Sequence, residues 1–159
     1  MDSQQAERFM RRAVELGHMG AEAGDGGPFG TVIVKDGEIV GEGWNRVVAR
    51  NDPTAHGEIE AIRDACGRLG TFCLDGCDLY TSGEPCPMCL SAIYWARVER
   101  VFYGFTVENA AEAGFDDSFI YHQLALPPER REIPVEQVPG TQALQALKEY
   151  MADPGRTRY

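Results

Sequence analysis

The sequence predicts an α/β protein: a three-layer α/β/α sandwich with a mixed five-stranded sheet in the middle. Three observations carry that expectation. Helix-period and strand-period segments follow one another as helix, hairpin, helix, strand, helix, strand, the order of a sheet covered on both faces. Asp36-Gly37 between two strand-like runs is a strong hairpin signal, which makes one strand pair antiparallel. A strand–helix–strand run over residues 78–105 needs a crossover, which makes another pair parallel.

Taken in order, residues 3–23 read as an amphipathic helix, with Phe9, Ala13 and Leu16 beside Met10 and Val14, and with Glu7, Arg11, Arg12 and Glu15 opposite. Gly24-Asp25-Gly26-Gly27-Pro28 ends it. A strand Phe29–Lys35 follows, whose near-continuous run Thr31-Val32-Ile33-Val34 suggests burial on both faces. After the turn comes a second strand, Glu38–Asn45. Phe29, at the mouth of the first strand, reads either as a core aromatic or as the wall of a pocket. Asn45 reads either as a turn-forming cap or as an amide that offers donor and acceptor to a heterocycle.

Residues 55–69 form the next expected helix, with Ile59, Ile62, Cys66 and Leu69 at helical spacing. Asp78–Ser82 is a short strand, residues 87–97 a helix, and Val98–Phe105 a fourth strand. Residues 106–127 read as less regular. Within them the pair Asp116-Asp117 reads first as a solvated cap. A fifth, edge strand is expected at Ile133–Gln137, which contains Pro134, and a last helix at Gln142–Met151 carries Leu144, Leu147 and Tyr150. The whole chain, 1–159, is expected to be one domain, with 140–159 as a terminal helix and tail.

Composition narrows the function classes. The chain has 159 residues, 43% of them hydrophobic, enough for a sizeable core. No run approaches the roughly 18 apolar residues of a membrane span. The N-terminal residues are polar and acidic, unlike a signal peptide, so a cytoplasmic location is expected. A net charge of −10 argues against an extended nucleic-acid surface but places no bar on a small neutral substrate. Five cysteines in such a chain read as thiols or metal ligands before disulfides.

Two motifs carry chemistry. In Ser82-Gly83-Glu84-Pro85-Cys86-Pro87-Met88-Cys89, Pro87 suits the first helical position, which places Cys86 at the N-cap and both sulfurs on one face of the first turn. The positive end of the helix favours thiolates there. Upstream, Thr54-Ala55-His56-Gly57-Glu58 opens another helix. One His and two Cys make three zinc ligands, leaving a fourth position for water, as in a catalytic rather than a closed structural site. Glu58 would stand beside that water if the helix points end-on at the metal. His-x-Glu followed by Pro-Cys-x-x-Cys is the zinc-deaminase signature.

Blander readings compete. Cys73 and Cys77 with Cys86 and Cys89 would make a four-cysteine structural clip, and the protein a non-catalytic zinc-binding module. Cys66 and Cys73 also read as plain buried thiols. Trp44, Tyr94 and Trp95 have core readings beside Trp95 as a stacking surface. His18 and His122 lack ligand spacing.

The segments Asp52–Glu58, Thr81–Cys89, Ala92–Arg97 and Ala113–Tyr121 together resemble guanine deaminases of the cytidine-deaminase-like superfold, and the similarity runs from Gly26 to the terminal Tyr159. The zinc motif is shared with cytosine, cytidine and tRNA-adenosine deaminases, whereas Gly-Phe-Asp-Asp and Tyr-Trp-Ala-Arg are narrower. The resemblance implies one zinc per chain at His56, Cys86 and Cys89, with Glu58 as proton shuttle. It implies base contacts from Phe29, Asn45, Ala55, Trp95 and Asp117, and Asp117 also moving a proton to the leaving amine. It implies a homodimer whose C-terminal segment caps the partner's site, with a role for Tyr159. No nucleic-acid or membrane partner is expected. Gly57 stands where the family usually has Ala and is expected to admit close approach of a ligand. Gly83 stands where Cys or Ala is common and is expected to widen the pocket. The expected reaction is guanine to xanthine and ammonia. Guanosine or 2′-deoxyguanosine is the nearest alternative, and cytosine, a triazine or tRNA adenosine the more distant ones.

Overall fold

The computed structural model describes residues 3–159 and centres on a four-stranded sheet of β1 (Gly30–Lys35), β2 (Glu38–Trp44), β3 (Cys77–Gly83) and β4 (Arg100–Phe105), in the order β2-β1-β3-β4. β1 pairs antiparallel with β2 across the Asp36-Gly37 turn and with β3 on its other side. β3 and β4 are parallel, as a strand–helix–strand crossover requires.

Alternation along β1 decides which face each residue feeds. Val32 and Val34 join Tyr80 against Phe9 and Leu16 of α1 (Ser3–Glu22). Ile33 joins Leu79 on the opposite face, against Ala61 and Ala65 of α3 (Gly57–Leu69) and Ile93 of α4 (Pro87–Trp95). One helix on one face and two on the other give the α/β/α layering. The central strands are buried on both sides, which is why they read as continuous apolar runs.

β2 and α3 lie unusually close. A Cβ on Gly43 would fall 2.3 Å from the Ala61 nitrogen and 2.4 Å from the Gly57 oxygen, and one on Gly41 would fall 2.6 Å from the Ala65 Cβ. Glycine on the strand and alanine on the helix thus set the separation, and with it the position of the α3 N-terminus.

The chain forms two compact units, Met1–Ile120 and Tyr121–Tyr159. The second begins within α6 (Asp117–Ala125), continues through a 3₁₀ turn at Pro128–Arg130, and ends with α7 (Ala143–Ala152) and the tail. It is tied internally by the Glu132 N–H to Gln123 Oε1 (2.8 Å) and by the Tyr150 hydroxyl to the Thr157 carbonyl (2.5 Å).

Two expectations change, and one element is added. Ile133–Gln137 is not a strand, so the sheet has four strands rather than five. Pro134 and Pro139 remove ladder donors, and Ile133 and Val135 remain 77% and 61% exposed. Residues 106–127 are more regular than expected: they hold α5 (Val107–Glu112), with a Thr106/Asn109 capping box, and α6, whose first turn Asp116 caps by accepting from the Phe119 N–H at 3.2 Å. Val47–Arg50 is a one-turn helix, α2. Among the described residues no helix is long and apolar enough to cross a membrane.

Candidate active site

α3 and α4 converge end-on at one point. His56 is the N-cap of α3 and Cys86 the N-cap of α4, both in extended backbone, with Pro87 following at the first helical position. Cys89 completes the first turn of α4. His56 Nδ1 lies 3.6 Å from Cys86 Sγ and 3.5 Å from Cys89 Sγ. All three donor atoms lie within 4.8 Å of one another, and this is the one such His/Cys/carboxylate group among the described residues. Tetrahedral zinc with bonds of about 2.05 Å to nitrogen and 2.3 Å to sulfur would place those atoms about 3.6 Å apart. The residues fit the ion.

The groups at this centre shift one another's protonation. Hydrogen bonding from Cys89 draws the Cys86 thiol down to about 4 against the opposing effect of burial, with His56 contributing. Cys89 is pushed up because it supplies that hydrogen bond and is itself buried. His56 is raised, first by its hydrogen bond to Cys86. Glu58 is 6% exposed, and burial pushes its carboxyl up to about 7. A carboxyl at that value can take and return a proton near neutral pH.

A cavity of about 280 Å³ opens beside this centre. Its aromatic wall is Phe29, whose ring meets Phe115 edge-on at 4.8 Å and Phe105 at 5.6 Å. Val47 and Val48 of α2 form another side. Asn45, Glu84 and Asp117 supply polar groups. The Asn45 side-chain oxygen accepts from the Val47 N–H at 3.1 Å, so the amide caps α2 and leaves its NH₂ group for the cavity. Of the two readings of Asn45, the turn-forming one is the one the structure shows. Asp117 is raised by burial, with the Cys86 thiolate adding to the effect. Among the described residues no Lys or Arg lines the cavity.

The structure thus gathers His56, Glu58, Cys86, Phe29, Asn45 and Asp117 around one space, with Cys89 behind it. Ala55 is fully buried and spends both backbone groups elsewhere, donating to the Asp52 carbonyl and accepting from the Arg46 N–H. Trp95 does not line the cavity: it sits roughly 12 Å along α4 from the cysteine turn and is 66% exposed. Tyr159 belongs to the second compact unit. Gly57 faces β1, its would-be Cβ 3.1 Å from the Phe29 oxygen, rather than a ligand. Gly83 does not widen the pocket, because the Phe105 ring occupies the space at 2.5 Å from a would-be Cβ. The four-cysteine clip is not assembled: Cys77 opens β3 and Cys86 follows its far end, roughly 20 Å along the strand.

Among the lining residues that escaped the sequence reading as site groups are Glu84, Phe115, Val47 and Val48. The signal for the first two was present, since both stand within motifs already singled out, Ser-Gly-Glu-Pro-Cys and Gly-Phe-Asp-Asp.

Residues 3–105 match the model of the cytidine and deoxycytidylate deaminase zinc-binding region. The chain is 60% identical to guanine deaminase from Bacillus subtilis over 138 residues, covering 87% of this chain and 88% of that one. The crystal structure of a Bacillus subtilis guanine deaminase superposes with a TM-score of 0.93 at 53% identity, covering 100% of this chain and 99% of the other. A tRNA-specific adenosine deaminase from Aquifex aeolicus is 44% identical over 98 residues, 62% of this chain and 60% of its own.

Proposed function

The chain belongs to the cytidine and deoxycytidylate deaminase zinc-binding family, and on that premise we propose that it hydrolyses guanine to xanthine and ammonia. The observation that carries the substrate is the chemistry of the cavity. Guanine presents a ring carbonyl and several N–H donors. The Asn45 NH₂ group suits the carbonyl, and the Asp117 carboxylate suits the donors. Phe29 and Phe115 supply a flat apolar wall. The absence of Lys and Arg from the lining disfavours phosphorylated substrates, and the net charge of −10 disfavours tRNA.

His56, Cys86 and Cys89 would hold the zinc, which would supply a Lewis acid that brings the pKa of a water towards neutrality. Glu58 takes a first proton from the attacking water and passes it to a ring nitrogen, then takes the second from the added hydroxyl and passes it to the leaving amine, which its near-neutral carboxyl allows. Asp117, whose carboxyl burial also raises, relays a proton at the departing amine.

The exposed Tyr94 and Trp95 at the end of α4 support a homodimer that seats a second copy there, with Trp95 and Tyr159 acting across it. Light scattering of the purified protein that gave the mass of one chain would contradict this. The free thiols of Cys66, Cys73 and Cys77 suit a reducing, cytoplasmic setting for purine breakdown.

The substrate is tested by ammonia release from guanine, guanosine, 2′-deoxyguanosine, cytosine, cytidine, adenine and ammeline. Guanine should exceed all others. Guanosine turned over well above guanine would overturn the base assignment while leaving the deaminase chemistry in place.

A further inference from the structure

Glu84 stands two residues before Cys86, on the loop that carries the cysteines, and lines the cavity. Its backbone N–H donates to the Phe105 carbonyl at 2.8 Å, extending the β3–β4 pairing by one residue. Its side-chain Oε2 accepts from the Val107 N–H at 3.1 Å, the first amide of α5. A helix start has four amides in need of partners. At α5 the other bonds are local: Asn109 N–H to Thr106 Oγ1, Ala110 N–H to the Thr106 carbonyl, and Thr106 N–H to Asn109 Oδ1. Of these, only the Glu84 bond ties the helix start to another part of the chain.

What α5 leads to gives this tie its interest. The helix ends at Glu112; Gly114, two residues on, has positive φ, and the Phe115 N–H returns to the Ala110 carbonyl at 3.0 Å. Phe115 then meets Phe29 across the cavity wall, and Asp117 enters the cavity two residues later. The segment bearing Phe115 and Asp117 therefore hangs from a six-residue helix, too short to order itself.

We propose that Glu84 is a positioning residue: through the Val107 amide it locks the segment that carries Phe115 and Asp117 to the cysteine loop, so that the cavity wall and the metal centre keep one geometry. The proposal deepens the guanine reading and rests on it for turnover alone.

Three full-length, zinc-loaded variants test it. Glu84→Ala removes the acceptor. Glu84→Gln keeps an acceptor oxygen without the charge. Val107→Pro removes the donor from the other side. Proline suits a first helical position, and Thr106 already has the extended backbone (φ −88°, ψ 170°) required before it. Loss of a charge-assisted hydrogen bond of this kind should lower kcat/KM for guanine by about tenfold to a hundredfold in Glu84→Ala. Val107→Pro should match it, the double variant should be no worse than either single one, and Glu84→Gln should recover to within about threefold of wild type. Zinc should stay at one per chain throughout. Amide exchange at Phe115 and Asp117 should quicken in Glu84→Ala and Val107→Pro and return in Glu84→Gln. A Glu84→Gln protein as impaired as Glu84→Ala, with Val107→Pro unaffected, would overturn the proposal, since the charge would then act on the substrate itself. So would loss of zinc in Glu84→Ala, or unchanged exchange in all three. If wild type released no ammonia from guanine, the substrate reading would fall, while exchange would still decide the role of Glu84.

Discussion

Replacing Gly43 by Ala should separate the helix that carries the metal centre from the strand beneath it. The added Cβ meets backbone on α3 at 2.3 Å (Ala61 N), 2.4 Å (Gly57 O) and 2.8 Å (Glu60 C), and backbone cannot rotate away as a side chain can. Overpacking of this kind costs about 1–3 kcal/mol. In a chain of this size each kcal/mol moves the melting temperature by about 2–4 °C, so Gly43→Ala should melt about 2–12 °C lower. Because His56 caps the same helix and Glu58 lies in its first turn, zinc content and turnover should fall as well. Gly67→Ala is the matched control: it lies in the same helix, exposed, with nothing within 4 Å of a would-be Cβ. Relief of glycine's backbone freedom should stabilise that variant by about 0.5–1 kcal/mol, roughly 1–4 °C, with zinc unchanged. Circular dichroism melts at matched zinc, with elemental analysis, read both. A Gly43→Ala protein that melted with wild type and kept its zinc would refute the close packing of β2 on α3.

Asn45→Asp keeps an oxygen to cap Val47 but loses the NH₂ donors, so it should fold normally and raise KM for guanine by about tenfold to a hundredfold in steady-state assays. Changing Cys73 and Cys77 together to Ser should leave zinc at one per chain, whereas Cys86→Ser alone should empty the site; elemental analysis distinguishes the two. The Asp116 carboxyl is held below its ordinary range by hydrogen bonds from the Ser118 hydroxyl and the Phe119 N–H. Its stabilisation of the α6 start is therefore complete above the ordinary aspartate range and fades as the pH falls through the depressed value. The Phe119 amide resonance should report that loss in wild type and not in Asp116→Asn.

The elements legible in the sequence were those whose periodicity is fixed by burial. β1 shows both faces as one apolar run, and α1 and α3 each show a single stripe. The metal triad was legible because its spacing is local: Cys86 and Cys89 share a helical turn, and His56 precedes another. What the sequence hid depends on neighbours distant along the chain. α2 and α5, four and six residues long, are too short to display a period. Glu84 gains its place only once β4 lies beside β3. Gly83 looked like spare volume, but Phe105 of the parallel strand fills it. Trp95 stands in the same motif run as the cysteines, yet helical rise carries it to the far end of α4. Ile133–Gln137 alternates like a strand but carries a proline and stays exposed.

The central claim is that zinc on His56, Cys86 and Cys89 works with Glu58 to deaminate guanine. It is met most directly by measuring zinc content and ammonia release on the same preparations of wild type and Glu58→Ala. One zinc per chain is expected in both proteins. Loss of the proton carrier should lower ammonia release from guanine by about 10²–10⁴-fold in the variant alone. Undiminished turnover in Glu58→Ala with its zinc in place would contradict the account.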